Sequence, residues 1–126
     1  TMIFGIGTDI VEVERIKNLS SISKFAKKIL SQNELNFFNS LNKDQKVYFL
    51  SKQFAGKEAI TKALGTGIGY EASLKNIEIL RDEKGKPFFN AINELSVHMS
   101  DLGITKTHVS LADESNYAIA MVILEK

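Results

Sequence analysis

The chain has no cysteine and no tryptophan, and only two histidines among its 126 residues. Without cysteine it can form neither a disulfide framework nor a thiolate nucleophile, which accords with a reducing cytoplasm. Two histidines leave too few soft ligands for a zinc site. No run of about 18 apolar residues is present, nor a basic leader followed by an apolar stretch, so neither a membrane span nor an export signal is expected. A dominant charge is missing too: 16 Lys and Arg face 15 Asp and Glu, for a net charge of +1. The first half carries the basic excess and the second half the acidic excess, so the first half is the better match for an acidic partner. A basic stripe with interleaved aromatics, the mark of a nucleic-acid binder, does not occur, and no nucleic-acid partner is expected.

What is present is enough apolar material, 44% of the chain, to build one core in a single domain spanning residues 1–126. A chain this short keeps a large surface for its volume, so self-association would help it. "MIFGIG" (Met2–Gly7) alternates as a strand does, and "DIVEVERIKNL" follows with Asp9 and Glu12 spaced like a capping box at a helix start. "ISKFAKKIL" and "SQNELNFFNSL" carry helical periodicity. The longest helical pattern runs from Asp44 to Leu64, with Val47, Leu50, Phe54 and Ala55 on its buried side, and stops at Gly65. The period then changes to that of strands. "SLKNIEILRD", the turn "EKGK" and "PFFNAI" read as a hairpin, "ELSVHMSDLG" as a short helix closing at Gly103, and "THVSLADE" and "NYAIAMVILE" as two strands, the last of them central. The order β-ααα-ββ-α-ββ predicts a mixed α/β or α+β fold, with helices on a small, mainly antiparallel sheet.

Glycine patterns suggest phosphate binding but fail on context. "GTGIGY" (residues 65–70) follows a helix, whereas the dinucleotide fingerprint follows a strand. "GIGTD" (residues 5–9) follows a strand but lacks the third glycine and the Lys-Ser/Thr of a phosphate loop. Asp9 and Glu58 are an adequate oxygen-ligand pair for Mg²⁺, and Lys62, one turn beyond Glu58, would point at the same phosphates. Two plainer readings stand beside this one: Asp9 as a helix N-cap, and Glu58 with Lys62 as an ordinary i, i+4 ion pair. His108 lies mid-strand and His98 in a short helix, and Ser110 next to His108 has no orienting acid in evidence for a nucleophilic triad.

Taken in order, "GIGTDIVEVERI", "FAGKEAITKALGTGIG", "GKPFF" and "HVSLADESNYAIAMVILE" resemble the holo-acyl carrier protein synthase family, the small bacterial phosphopantetheinyl transferases, over nearly the whole chain. The resemblance implies the phosphopantetheinyl transferase fold and a cytoplasmic enzyme of fatty acid biosynthesis. Such an enzyme would move 4′-phosphopantetheine from coenzyme A to a serine of an apo acyl carrier protein, releasing adenosine 3′,5′-bisphosphate. It implies that Asp9 and Glu58 hold Mg²⁺, that Lys62 neutralises phosphate, that Gly65 lets the backbone approach the nucleotide, and that Pro87 and His108 lie by the adenine and ribose phosphate. It also implies a homotrimer with coenzyme A sites between subunits. The acidic, helical carrier protein would meet Arg15, Lys24, Phe25 and Lys28, with Leu19 and Ile22 between them. The chain departs from the family pattern at Gln53, where many relatives have arginine, and at Ala112 and Asp113, where many have Ser/Thr-His. Two rivals of other kinds are a binding module without turnover and a metal-free acyltransferase that uses the coenzyme A thioester.

Overall fold

The computed structural model of the protein describes residues 2–65 and 73–126. The first part contains β1 (Ile3–Glu12), α1 (Val13–Lys17), α2 (Ile22–Ile29), α3 (Gln32–Asn39) and α4 (Lys43–Leu64). A 3₁₀ turn (Leu74–Asn76) then leads into β2 (Ile77–Arg81), β3 (Pro87–Ala91), α5 (Glu94–Asp101), β4 (Lys106–Asp113) and β5 (Tyr117–Glu125). The α+β class is the expected one, with one more helix ahead of the hairpin than the predicted order. β1, β5 and β4 form an antiparallel sheet with β5 in the middle, and β2 and β3 form a separate antiparallel hairpin.

Local chemistry explains the helix boundaries. The Ser21 side chain accepts from Lys24 N to open α2, Ser31 and Glu34 form a reciprocal capping box on α3, and Asn42 and Gln45 form another on α4. Each such cap contributes about 1 kcal/mol. α4 stops at Gly65, whose φ of 78° is the left-handed cap that glycine adopts without strain. The following glycines of "GTGIG" fall within residues 66–72, outside the described residues.

β1 corrects the sequence reading. The strand does not end near Gly7 but pairs with β5 as far as Glu12 opposite Tyr117, so Asp9 sits mid-strand opposite Ala120 rather than at a helix N-cap. α1 starts only at Val13 and has no side-chain cap. The inward alternation Gly7, Asp9, Val11 and the β-branched Ile10 and Val11 favour continued pairing with β5, and that pairing outweighs the cap spacing. Gly5 and Gly7 have a structural purpose that the phosphate-loop comparison missed. A Cβ on Gly7 would lie 1.9 Å from the Ala59 carbonyl oxygen, and one on Gly5 would lie 2.0 Å from that of Ala63. β1 therefore lies directly on the α4 backbone.

The core forms where the inner face of the three-stranded sheet meets α4. Ala118, Ala120, Val122 and Leu124 of β5 and Leu50, Ala55, Ala59 and Ile60 of α4 are buried there. The opposite face of the same sheet leaves Ile6, Ile10, Ile119 and Met121 exposed. Among the described residues no helix is long and apolar enough to cross a membrane.

Candidate active site

The glycine contact sets the site's geometry. Because Gly7 rests on Ala59, the next inward residue of β1, Asp9, comes to the part of α4 that carries Glu58 and Lys62. β1 is an edge strand, and Lys62 reaches round that edge: its Nζ donates to the Thr8 carbonyl oxygen and to Asp9 Oδ1, each at 3.0 Å. The Asp9 side chain is 17% exposed and that of Lys62 57%. The ion pair Lys62 forms is thus with Asp9 across the strand–helix contact, where the plainer reading had it with Glu58 one turn away.

Glu58 is half-buried beside this pair. Burial raises its pKa above the ordinary carboxylate value and the charge of Asp9 adds to the rise, while Lys62 and Arg15 pull it the other way without cancelling it. Two carboxylates are therefore close enough to repel each other, a repulsion that a cation between them would relieve. Among the described residues no three of His, Cys, Asp or Glu gather into a metal cluster. A two-carboxylate set fits Mg²⁺, which commonly takes one or two protein carboxylates and completes its shell with water and phosphate oxygens. A shallow depression of about 530 Å³ opens here, lined by Asp9, Ile10, Lys62, Ser110, Ile119 and Met121.

The raised pKa carries a testable consequence. A carboxyl whose folded pKa is raised stabilises the fold as long as it stays protonated, and that stabilisation is lost as pH rises through the folded pKa. Without added metal, Glu58→Gln is therefore expected to melt at a higher temperature than the unsubstituted protein at pH 7. The gap is expected to close as the pH falls below the ordinary carboxylate range, where the carboxyl is protonated in the folded and unfolded chain alike. Thermal scans across that range check this, and a gap that ignores pH would contradict it.

The other expected residues lie elsewhere in the chain. His108 is on β4, the edge strand remote from β1, with its ring on the outer face and its Nε2 2.7 Å from Glu125 Oε2. Pro87 heads β3 in the other sheet. Within one chain neither residue joins the Asp9, Glu58 and Lys62 group. Gly65 closes α4 less than one turn after Lys62. Arg15 of α1 and Lys24 and Lys28 of α2 are exposed, and of these the Arg15 charge is felt at Glu58. Phe25 is partly buried and packs edge-on against Phe54 at 5.2 Å, which fixes α2 to α4.

Gln53 does not face the carboxylates. It is buried and joins a network that sequence reading did not find: Glu34, Lys57 and Arg81. The one sequence signal for it was the Ser31–Glu34 capping-box spacing. Asp113 pairs loosely with Lys52 at 3.6 Å.

Residues 5–122 match the sequence profile of the 4′-phosphopantetheinyl transferase superfamily. A protein of Shewanella denitrificans named holo-[acyl-carrier-protein] synthase is 46% identical over 125 residues, covering 98% of each chain. The crystal structure of holo-[acyl-carrier-protein] synthase from Neisseria meningitidis superposes with a TM-score of 0.90 at 41% identity, covering 99% of this chain and 100% of the other. A Bacillus anthracis holo-(acyl-carrier-protein) synthase in complex with CoA (3′,5′-ADP) superposes with a TM-score of 0.83 at 37% identity, covering 98% and 97%. The fold and the relatives it matches are those of a transferase. The chain belongs to the 4′-phosphopantetheinyl transferase superfamily.

Proposed function

We propose that the chain is a holo-acyl carrier protein synthase, which transfers 4′-phosphopantetheine from coenzyme A to a serine of an apo acyl carrier protein and so serves fatty acid biosynthesis in the cytoplasm. The observation that carries this reading is the meeting of Asp9, Glu58 and Lys62 at the crossing of β1 and α4. In the reaction the serine oxygen bonds to the phosphorus that bears pantetheine. The bond from that phosphorus to the bridging oxygen breaks, adenosine 3′,5′-bisphosphate leaves with the electron pair, and the serine proton is lost. Asp9 and Glu58 would hold Mg²⁺, which when bound would neutralise the pyrophosphate and stabilise the leaving oxygen. Lys62, already directed at Asp9, would place its ammonium against the same phosphates, because phosphoryl transfer depends on positioning and charge neutralisation more than on covalent help. Gly65 would let the α4 terminus approach the nucleotide, and Pro87 and His108 would lie by the adenine and ribose phosphate. Adenosine 3′,5′-bisphosphate released from coenzyme A, measured by chromatography, should require both an apo carrier protein and a divalent cation. Release without a carrier protein would argue against the assignment.

His108 lies apart from Asp9 within one chain, so a site containing both would need two subunits. The exposed outer face of the three-stranded sheet supports this, since Ile6, Ile10, Ile119 and Met121 are 66, 62, 47 and 48% exposed. On so small a protein a patch of this kind supports the reading of a subunit interface. Light scattering at micromolar concentration is expected to give the mass of a trimer, and a monomer mass would contradict the shared site.

The carrier protein would dock on Arg15, Lys24, Phe25 and Lys28, beside Glu58. Exposed complementary charges act mainly on encounter and are screened by salt. Arg15→Glu and Lys24→Glu are expected to raise KM for the carrier protein, leave KM for coenzyme A nearly unchanged and flatten the salt dependence of kcat/KM. Equal effects on both substrates in steady-state titrations would refute the docking role.

A further inference from the structure

Among the described residues β2 has a strand neighbour, β3, on one edge only. On its other side, where it packs against α3 and α4, backbone groups are met by side chains. Ile79 N donates to Glu34 Oε2 at 3.2 Å, Gln53 Nε2 donates to the Ile79 carbonyl oxygen at 2.9 Å, and Lys57 Nζ donates to the Ile77 carbonyl oxygen. Lys57 Nζ also reaches the Leu74 carbonyl oxygen at 2.8 Å. Side chains thus stand in for a third strand, and they answer the need of buried backbone groups for partners.

The side chains of this layer bond to one another as well, and Arg81 Nη1 is the buried side-chain atom among the described residues that has no partner. The Lys57 and Glu34 side chains are both 0% exposed and meet at 2.6 Å. Glu34 Oε1 accepts from Ser31 N and Lys57 Nζ, and Oε2 from Gln53 and Ile79 N, while Arg81 Nη2 donates to Gln53 Oε1 at 3.0 Å. Burial lowers the Lys57 pKa, and Glu34 opposes that shift. Such a buried pair adds little net stability compared with a well-packed apolar layer. What it does supply is register. Apolar surfaces can slide over each other, whereas three donors on one ammonium fix Leu74 and Ile77 at one offset from α4. Lys57 directly precedes Glu58, so one turn of helix presents a carboxylate towards Asp9 and anchors the hairpin.

We infer that Lys57 is a positioning residue for coenzyme A: by holding β2, and with it Pro87 at the head of β3, at a fixed offset from Glu58 and Lys62, it sets the span between the nucleotide and pyrophosphate ends of the site. The inference rests on the proposed function. In a symmetric trimer each chain would give its carboxylates to one interface and its hairpin to the next, so the offset within a chain fixes the gap in every site. Lys57 itself touches neither phosphate nor metal in this account.

The test is the double variant Glu34→Gln/Lys57→Met, which removes both buried charges at nearly constant size. Calorimetry with coenzyme A and Mg²⁺ and steady-state kinetics are run beside the unsubstituted protein. The expected result is a cooperatively melting protein whose Kd and KM for coenzyme A rise by roughly tenfold or more, as misplaced binding groups cause, with KM for the carrier protein unchanged. A purely structural role would lower the active fraction and leave both KM values alone. A folded double variant that binds coenzyme A within about twofold of the unsubstituted protein overturns the positioning role. If the double variant does not fold, Gln53→Met, which leaves the Lys57–Glu34 pair intact but frees Ile79 and Arg81, is expected to raise the Kd for coenzyme A about threefold. An unchanged Kd there overturns the inference equally. Failure of the unsubstituted protein to bind coenzyme A would instead sink the proposed function.

Discussion

Glu58→Gln is expected to abolish carrier-protein modification while the protein stays folded, with kcat/KM falling by at least about a hundredfold at saturating Mg²⁺. Substitution of groups that merely support a metal ligand already costs about 10- to 100-fold, so loss of a ligand charge should cost no less. The fold should tolerate the change because Glu58 is half-buried with its charge penalised by burial and by Asp9, and glutamine removes that penalty. The combination of lost turnover and an undiminished melting temperature at pH 7 is the signature to look for. Unchanged turnover would remove Glu58 from the mechanism, and lost turnover with a collapsed melting transition would make the residue structural.

Gly7→Ala is expected to be among the most destabilising single substitutions in the chain. Its Cβ would stand 1.9 Å from the Ala59 carbonyl oxygen and 2.9 Å from Ala63 N, both backbone atoms of a long buried helix with no rotamer to yield. Overpacking in a core ordinarily costs about 1–3 kcal/mol. A clash with backbone should exceed that range, because β1 must lift off α4 along its length. The same displacement would carry Asp9 away from Glu58, so any folded fraction should also lose transfer. Chemical denaturation measures the first effect, and a loss of less than about 1 kcal/mol would show that β1 does not need the close approach.

The two glycines show how far the sequence could be read. "GIGTD" was legible as unusual, but its purpose was not, because a close approach between a strand and a helix fifty residues away leaves no local pattern. Helices α2, α3 and α4 were legible from apolar periodicity, the cap signal at Ser31 and the stop at Gly65, and the structure adds caps at Ser21 and Asn42, all of it chemistry within one turn or two. The end of β1 was misread for the converse reason: the cap spacing at Asp9 is a local signal, and the pairing of Thr8–Glu12 with β5 is not.

The candidate site divides in the same way. Carboxylate and lysine types suited to phosphate chemistry could be picked out at Asp9, Glu58 and Lys62, yet spacing alone favoured an N-cap and a helical ion pair. The pairing of β1 with β5 removes the N-cap, and the 3.0 Å contact of Lys62 with Asp9 replaces the helical ion pair with Glu58. Lys57 was not singled out in the sequence, and its burial follows only from the position of α3 and β2. Gln53, which stands where many relatives have arginine, faces that same buried layer.

The central claim is that the Asp9, Glu58 and Lys62 site breaks the pyrophosphate of coenzyme A and hands phosphopantetheine to a carrier-protein serine. The most direct measurement is the intact mass of an apo acyl carrier protein after incubation with the enzyme, coenzyme A and Mg²⁺. The account predicts a mass increase of one phosphopantetheine on the serine, absent when that serine is replaced by alanine and absent with Glu58→Gln. A carrier protein of unchanged mass in the presence of bound coenzyme A, or one that gains only the acyl group of an acyl-coenzyme A, would contradict it.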